Sequence, residues 1–481
     1  MNGILKRAVT SAAVTALLAS PLAQATNGYF KIGYGSKNRG MAGAGMAFGQ
    51  DSLAPAVNPA ALAGVGNRVD AGVELFNPQR EGALDATAIG GANSEEDSGA
   101  KWFVIPNFGI SKELNSKMTV GLAVVANGGM NTRYGDADGG NGNIYTDAFA
   151  PAIPGFVGNL IGAGFDPAIV GGNAAALAGN PNITPALGVN LAQVLITPTL
   201  AYRITKNHSI GIAPVIGYQQ FRAYGLGLFQ AFSSDPGKVT NNGNDDAWGL
   251  GGRIGYQGSI GMFSFGASYT SKIYMEELSK YKGLFAEQGD FDIPSTYGAG
   301  LAIKPTSKLT IAADVARINY SDTAAINNEG PTADQFFSAM SAALTFGDPT
   351  SPFAVSNPLG TNNGWGFGWD DVTVYKIGVN YDYNSQWTFR AGYNYAESPY
   401  DDDQTLFNIL APGLVEQHYT LGFTYSPSVS SELTVTYMHA LRNDQEYTYA
   451  GSAGGPFAGF SYSAKNAMSQ NAIEASYAWK F

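Results

Sequence analysis

From Arg68 to the C-terminus one pattern recurs: about ten residues of strict alternation, a turn, about ten more, then a long polar loop. The last segment states it most plainly. Asn471, Ile473, Ala475, Tyr477, Trp479 and Phe481 fall on one side, and Ala472, Glu474, Ser476, Ala478 and Lys480 on the other. Period two with one apolar and one polar face is the signature of a strand that meets lipid on one side and a lumen on the other. Fourteen such segments are readable, at 68–78, 101–112, 117–127, 190–204, 208–222, 246–257, 260–274, 293–304, 308–320, 371–383, 386–396, 416–426, 431–441 and 470–481. Tight turns are expected at Asn115-Ser116, 205–207, Gly258-Ser259, 305–307, Asn384-Ser385 and 427–430, alternating with loops of very unequal length. The expected fold is all-β: a 14-stranded antiparallel transmembrane barrel, closed so that no backbone is left unpaired in lipid.

A soluble sandwich also alternates, but its outward face is polar. Here only 14% of residues are charged, against about 25% in an ordinary soluble domain, while tyrosine and phenylalanine are abundant at 26 each, and tyrosine and tryptophan crowd the strand ends as interfacial girdles do. There is no cysteine, so backbone pairing and packing hold the chain. A net charge of −11 argues against a nucleic-acid partner. Lys6-Arg7, the apolar run 8–19 and Ala23-Gln24-Ala25 read as a secretory signal peptide, residues 1–25, ending before Thr26. No stretch supplies the roughly 18 consecutive apolar residues of a spanning helix.

Between the signal and the first strand, residues 26–66 look like nothing that follows. Gly33, Gly35, Gly40, Gly43, Gly45 and Gly49 put six glycines into seventeen residues, which opposes any long regular element. A compact, irregular, moderately apolar segment fits inside a container, and fourteen strands enclose more room than their own side chains fill. The reading is a hatch (26–66) inside a barrel (67–481) whose loops 127–190 and 321–370 are partly helical.

The chain resembles the FadL/TodX family of outer-membrane transporters for long-chain fatty acids and other hydrophobic compounds. The resemblance rests on Asn27-Gly-Tyr-Phe30, the glycine series, Asn58-Pro59-Ala60, Trp387-Thr-Phe-Arg390-Ala-Gly-Tyr-Asn-Tyr395 and the closing Trp479-Lys480-Phe481, and it covers the whole chain after the signal peptide. It implies capture of substrate outside, transfer to a lumen pocket near the N-terminus, and sideways release through an inward kink in the third strand, driven by the gradient alone. By resemblance, Asn27, Tyr29 and Phe30 reach into the lumen beside the pocket, and Asn58, Pro59 and Ala60 sit beside the kink. Those last three also read as a turn anchoring the hatch to the wall. Gly121, Gly128 and Gly129 bracket the kink, since glycine in a strand permits a bend.

Other site residues come from the side chains themselves. Phe149, Phe156 and Phe165 lie in one outer loop, and Phe336, Phe337 and Met340 share a helical face in another, behind a capping box from Thr332 to Gln335. Apolar segments outside the cell suggest a capture site. The same segments also read as a lid packed on itself. A fatty-acid carboxylate would need a cation in a low-dielectric lumen, and Arg253, Lys376 and Arg390 face inward by alternation, with Glu416 or Glu474 as rival partners. His208, His418 and His439 lack metal-ligand spacing, no nucleophile elbow is present, and neither catalysis, metal nor cofactor is expected.

The expected protein is a monomer integral to the outer membrane of a Gram-negative bacterium. Its partners are a fatty acid or hydrocarbon, outer-membrane lipid and lipopolysaccharide, and the assembly machinery that reads Phe481. Aromatic or aliphatic hydrocarbons are the alternative substrates; a polar-solute porin is a more distant alternative, against which the hatch speaks.

Overall fold

The computed structural model describes residues 27–135, 142–347 and 357–481, so the signal peptide lies outside the described residues. The wall consists of β1 (Arg68–Asp85), β2 (Phe103–Glu113), β3 (Met118–Gly128), β4 (Gly188–Thr205), β5 (His208–Tyr224), β6 (Asp245–Ile260) and β7 (Phe263–Thr270). It continues with β8 (Thr296–Ile303), β9 (Leu309–Ile318), β10 (Val372–Asp382), β11 (Trp387–Tyr395), β12 (Gln417–Ser428), β13 (Ser431–Ala450) and β14 (Ser461–Lys480). Each pairs antiparallel with its sequence neighbours, and β1 pairs with β14 from Arg68↔Lys480 to Asp85↔Ser463, which closes the ring at fourteen strands. Two short strands, Asn93–Asp97 and Tyr274–Met275, attach to β1 and β6 outside that circuit. No helix among the described residues is long and apolar enough to cross a membrane.

The alternation resolves as expected for lipid outside and a packed lumen inside. Ile473 and Trp479 are exposed on β14, as is Phe481 just beyond it, while Ala472, Glu474 and Ala478 are buried, and on β10 Tyr375 and Ile377 point out beside buried Val374. One expected turn is displaced. Gly258 and Ser259 remain inside β6, and the chain reverses at Gly261-Met262, where Gly261 adopts φ +60°. Only glycine takes that angle at no steric cost, and the alternation gave no hint of it. β13 and β14 run well beyond the sequence estimate, to Ala450 and back to Ser461, with a bulge at Ala440–Asn443.

Residues 27–66 fill the lumen. They contain a helical turn, Ser36–Arg39, two 3-10 turns and otherwise irregular backbone, as the glycine content requires. A lumenal segment without its own ladder has to satisfy its polar groups through the wall, and it does so. Asp314 on β9 accepts from the Gly45 and Met46 N–H groups at 2.7 and 3.0 Å. Thr436 and Thr420 donate to the Ser36 and Gly40 carbonyls. Buried ion pairs complete the attachment: Lys31–Glu74 (2.5 Å), Arg39–Glu74 (2.7 Å) and Lys37–Glu432 (2.5 Å), with Arg68 and Lys480 also on Glu432. Removing either member of such a pair leaves a buried charge, at about 3–5 kcal/mol.

The outer loops form a lid. Helices α1 (Ile144–Phe149), α2 (Ile153–Gly162) and α3 (Pro167–Ala178) follow β3, and α4 (Ala333–Phe346) follows β9. The Thr332–Gln335 capping box starts α4. Asn173 Nδ2 of α3 donates to the Leu344 carbonyl of α4 at 2.9 Å and ties the two helices together.

Candidate functional site: the N-terminus, the third strand and the cavity between them

β3 is regular from Met118 to Val124 and then departs from the wall. Its pairing with β2 ends at Phe108↔Val124, although β2 continues on its other side to Phe76↔Phe103 with β1. On the β4 side, pairing runs on through Ala126↔Val194 and then shifts register before Gly128↔Gln193. The β2 segment Phe103–Asn107 and the β3 segment Val125–Gly128 therefore face each other without a ladder. That is a gap in the barrel wall. Residues 123–130 are all buried, because the strand turns into the lumen.

The partner that β3 finds there is the N-terminal segment. Phe30 bridges Gly128; Lys31 N–H donates to the Asn127 carbonyl at 3.0 Å, and Gly129 N–H donates to the Tyr29 carbonyl at 3.3 Å. A Cβ on Gly128 would stand 1.8 Å from the Tyr29 oxygen, so only glycine allows this approach. Gly121 plays a different part. It keeps regular pairs with Ser111 and Thr199, so the bend is not there, and its missing Cβ makes room for Leu62.

Tyr29 and Phe30 enter an aromatic cluster. The Tyr29 ring lies 5.7 Å from Tyr320, 6.1 Å from Trp369 and 6.5 Å from Phe291. Tyr320 Oη donates to the Asn27 carbonyl at 2.5 Å and accepts from Tyr29 N–H at 3.3 Å, which fixes the first residues in place. Gly28, at φ +63°, has Tyr320 and Trp369 against the position a Cβ would take. Tyr320 escapes the sequence reading because the alternation counts it as the last residue of segment 308–320, whereas the strand ends at Ile318; Trp369 sits in an outer loop with no periodicity to mark it.

Beside this cluster is a cavity with about 80 Å³ of free space, between Asn27, Phe30–Tyr34 and Asn127 on one side and β6–β10 on the other. Arg253 and Lys376 line it; Arg390 does not. Arg253 is occupied: its Nη1 donates to the Pro55 carbonyl and its Nε to Thr270 Oγ1, both at 2.7 Å. Arg390 lies elsewhere in the lumen, on Gln50 and Thr424. Lys376 makes no hydrogen bond or ion pair among the described residues, although Asp314 faces it across the β9–β10 pair. The expected rival partners are engaged otherwise: Glu474 accepts from Ser36 and Asn107, and Glu416 from the Ser398 N–H.

Asn58, Pro59 and Ala60 do not flank the kink. Asn58 Nδ2 donates to the Met46 and Tyr256 carbonyls (2.7 and 3.0 Å), and its Oδ1 caps the 3-10 turn through Ala60 N–H. Ser209 donates to the Ala60 carbonyl at 3.0 Å. Gly211 and Gly255 leave space for Pro59 and Asn58. The tripeptide is an anchor on β5 and β6, the second of its two sequence readings.

The outer residues pack on one another, as the lid reading has it. Phe149, Phe156, Phe336, Phe337 and Met340 are buried and form the inside of the lid, with Phe149 4.8 Å from Phe336 and Phe156 6.0 Å from Phe337. Of the six, only Phe165 is exposed. The helical spacing identified the apolar face correctly, but the opposing loop covers that face. Ile161, Ile169 and Phe346, which the sequence did not single out, share its exposure on α2–α4.

A family model described as outer membrane protein transport protein (OMPP1/FadL/TodX) matches residues 183–481. No curated protein sequence matches. Among solved structures, the Pseudomonas putida toluene transporter TodX is 18% identical over 94% of this chain and 99% of its own, with a TM-score of 0.59. The Ralstonia pickettii toluene transporter TbuX is 17% identical over 94% and 99%, with a TM-score of 0.54. A Pseudomonas aeruginosa FadL homologue is 15% identical over 94% and 100%, with a TM-score of 0.59. At these identities the structures establish a shared fold.

Proposed function

The chain belongs to the OMPP1/FadL/TodX family of outer-membrane transport proteins, and on that premise we propose that it takes up long-chain fatty acids passively through the gap beside β3. It is an integral outer-membrane β-barrel for hydrophobic compounds and not an enzyme; the route and the substrate are the proposal. Residues 26–66 act as the hatch and 67–481 as the barrel. A hydrophobic molecule settles first on the exposed edge of the lid around Ile161, Phe165, Ile169 and Phe346. It moves to the cavity beside Phe30, and leaves sideways where Phe103–Asn107 and Val125–Gly128 are unpaired.

The observation that carries this reading is the bridge between Phe30 and Gly128. The same residue lines the cavity and holds the kinked strand, so a guest that shifts Phe30 acts directly on the gap. A lumen filled by residues 27–66 speaks against a polar-solute porin. Lys376 supports a carboxylate as the polar end, because it lines a mixed polar and apolar cavity with Lys31, Arg253 and Arg317, and such a cluster of cations is suited to an anionic group.

The test is uptake of labelled oleate and labelled toluene by cells lacking their own transporter, with wild type and with Lys376→Met. Oleate uptake that falls with Lys376→Met, while any toluene uptake does not, is the expected result. Toluene uptake without oleate uptake would replace the fatty-acid reading by the hydrocarbon one. Passage of a small sugar alone would replace both.

A further inference from the structure

A second cavity lies between the lid and the N-terminal site. Its thirteen lining residues, among them Phe221, Phe229, Phe285, Trp365, Phe407 and Leu410, are all apolar or glycine, and none is charged. Aromatic rings connect it in both directions. Towards the lid, Phe232 is 6.0 Å from Trp365 and 5.8 Å from Phe336. Towards the N-terminus, Phe285 is 4.7 Å from Phe221 and 4.8 Å from Phe291, and Phe291 is 6.5 Å from Tyr29. The Trp365 indole N–H is buried and has no acceptor among the described residues. An unsatisfied buried donor in an apolar chamber calls for an explanation, and the π face of a guest ring supplies a weak acceptor.

We infer that this chamber is a binding station for the uncharged hydrocarbon part of the substrate, between capture on the lid and the cavity at Phe30. This rests on the transport reading above. The chamber holds about 40 Å³ of free space, less than the roughly 150 Å³ known to take benzene, so a guest enters by displacing side chains. The lining suits that. Except for Val189 and Phe221 it comes from the loops between strands, which rearrange without breaking the ladder of the wall. A carboxylate is excluded from the chamber itself by the cost of burying an unpaired charge. The hydrocarbon part is therefore either a free hydrocarbon or the tail of a fatty acid.

Bromine quenches tryptophan on contact, which gives a direct probe. The protein in lipid nanodiscs is titrated with bromobenzene and, separately, with 16-bromohexadecanoate, and the Trp365 share of the fluorescence is the difference from Trp365→Phe. The expected result is saturable quenching of that share, with the half-quenching concentration raised at least tenfold by Ala325→Phe, which fills the chamber. Retained unheated mobility on SDS gels shows that the variant barrel is folded. Quenching by bromobenzene alone identifies a free aromatic as the guest; quenching by both admits a fatty-acid tail. Identical quenching in wild type and Trp365→Phe with both probes overturns the inference. If quenching occurs without uptake in cells, the station stands and the transport reading falls; uptake without quenching gives the reverse.

Discussion

Gly128→Ala is the perturbation that most directly probes the coupling of the N-terminus to the wall. The new Cβ would lie 1.8 Å from the Tyr29 carbonyl oxygen, where ordinary contact begins near 3.4 Å. The carbonyl belongs to the backbone, so no side-chain rotation relieves the clash, and the two segments have to separate by about 1.6 Å. Separation breaks the Lys31–Asn127 and Gly129–Tyr29 hydrogen bonds. At roughly 1 kcal/mol each, and more where a buried partner stays unsatisfied, the loss is about 2–4 kcal/mol. That shifts the balance between a seated and an unseated N-terminus by roughly 30- to 700-fold. The assay pairs labelled-substrate uptake with protease cleavage of the N-terminal segment in isolated outer membranes. Gly64→Ala serves as control, because nothing lies within 4 Å of its Cβ position. Uptake and protection in Gly128→Ala that match Gly64→Ala would refute the reasoning.

Gly28→Ala should loosen the same segment by another route: it forces a side chain to φ +63° and against Tyr320 and Trp369, with increased N-terminal proteolysis as the readout. Phe337→Ala empties the inside of the lid, where Phe337 is fully buried. A cost of about 3–5 kcal/mol should appear as faster amide exchange in α2 and α4, with the barrel unaffected. Burial, then the neighbouring Asp70, pushes the Asp51 carboxyl of the hatch up to about 6. The seated hatch therefore binds a proton more readily than the free segment, whose Asp has a pKa of about 3.9. Its seating weakens as pH rises from about 4 to about 6 and is weakest above that window. Asp51→Asn should flatten this dependence of protease protection on pH, and an unchanged slope would assign it to another group.

The wall was legible in the sequence because a strand in lipid has to alternate at every position. One error of phase would put Glu474 in hydrocarbon and Ile473 in the lumen, so the exposure of β14 and the number of strands follow from the residues alone. Glycine density likewise marked 27–66 as irregular, and helical spacing marked the buried face of α4. What spacing does not encode is which distant surface meets which. Phe336 and Phe337 looked like a capture face until α1 and α2 covered them, and Asn58 docks on β6 some two hundred residues away. Nor does alternation separate Lys376, lining the cavity across from Asp314, from Arg390, held by Gln50 and Thr424, since both simply face inward. The gap beside β3 is a further case. Glycines bracketed it, but its place at Ala126–Gly128 was decided by the N-terminal backbone that β3 turns inward to meet. Local periodicity fixes the element and its faces, and tertiary closure, through contacts between remote residues, decides which faces become a site.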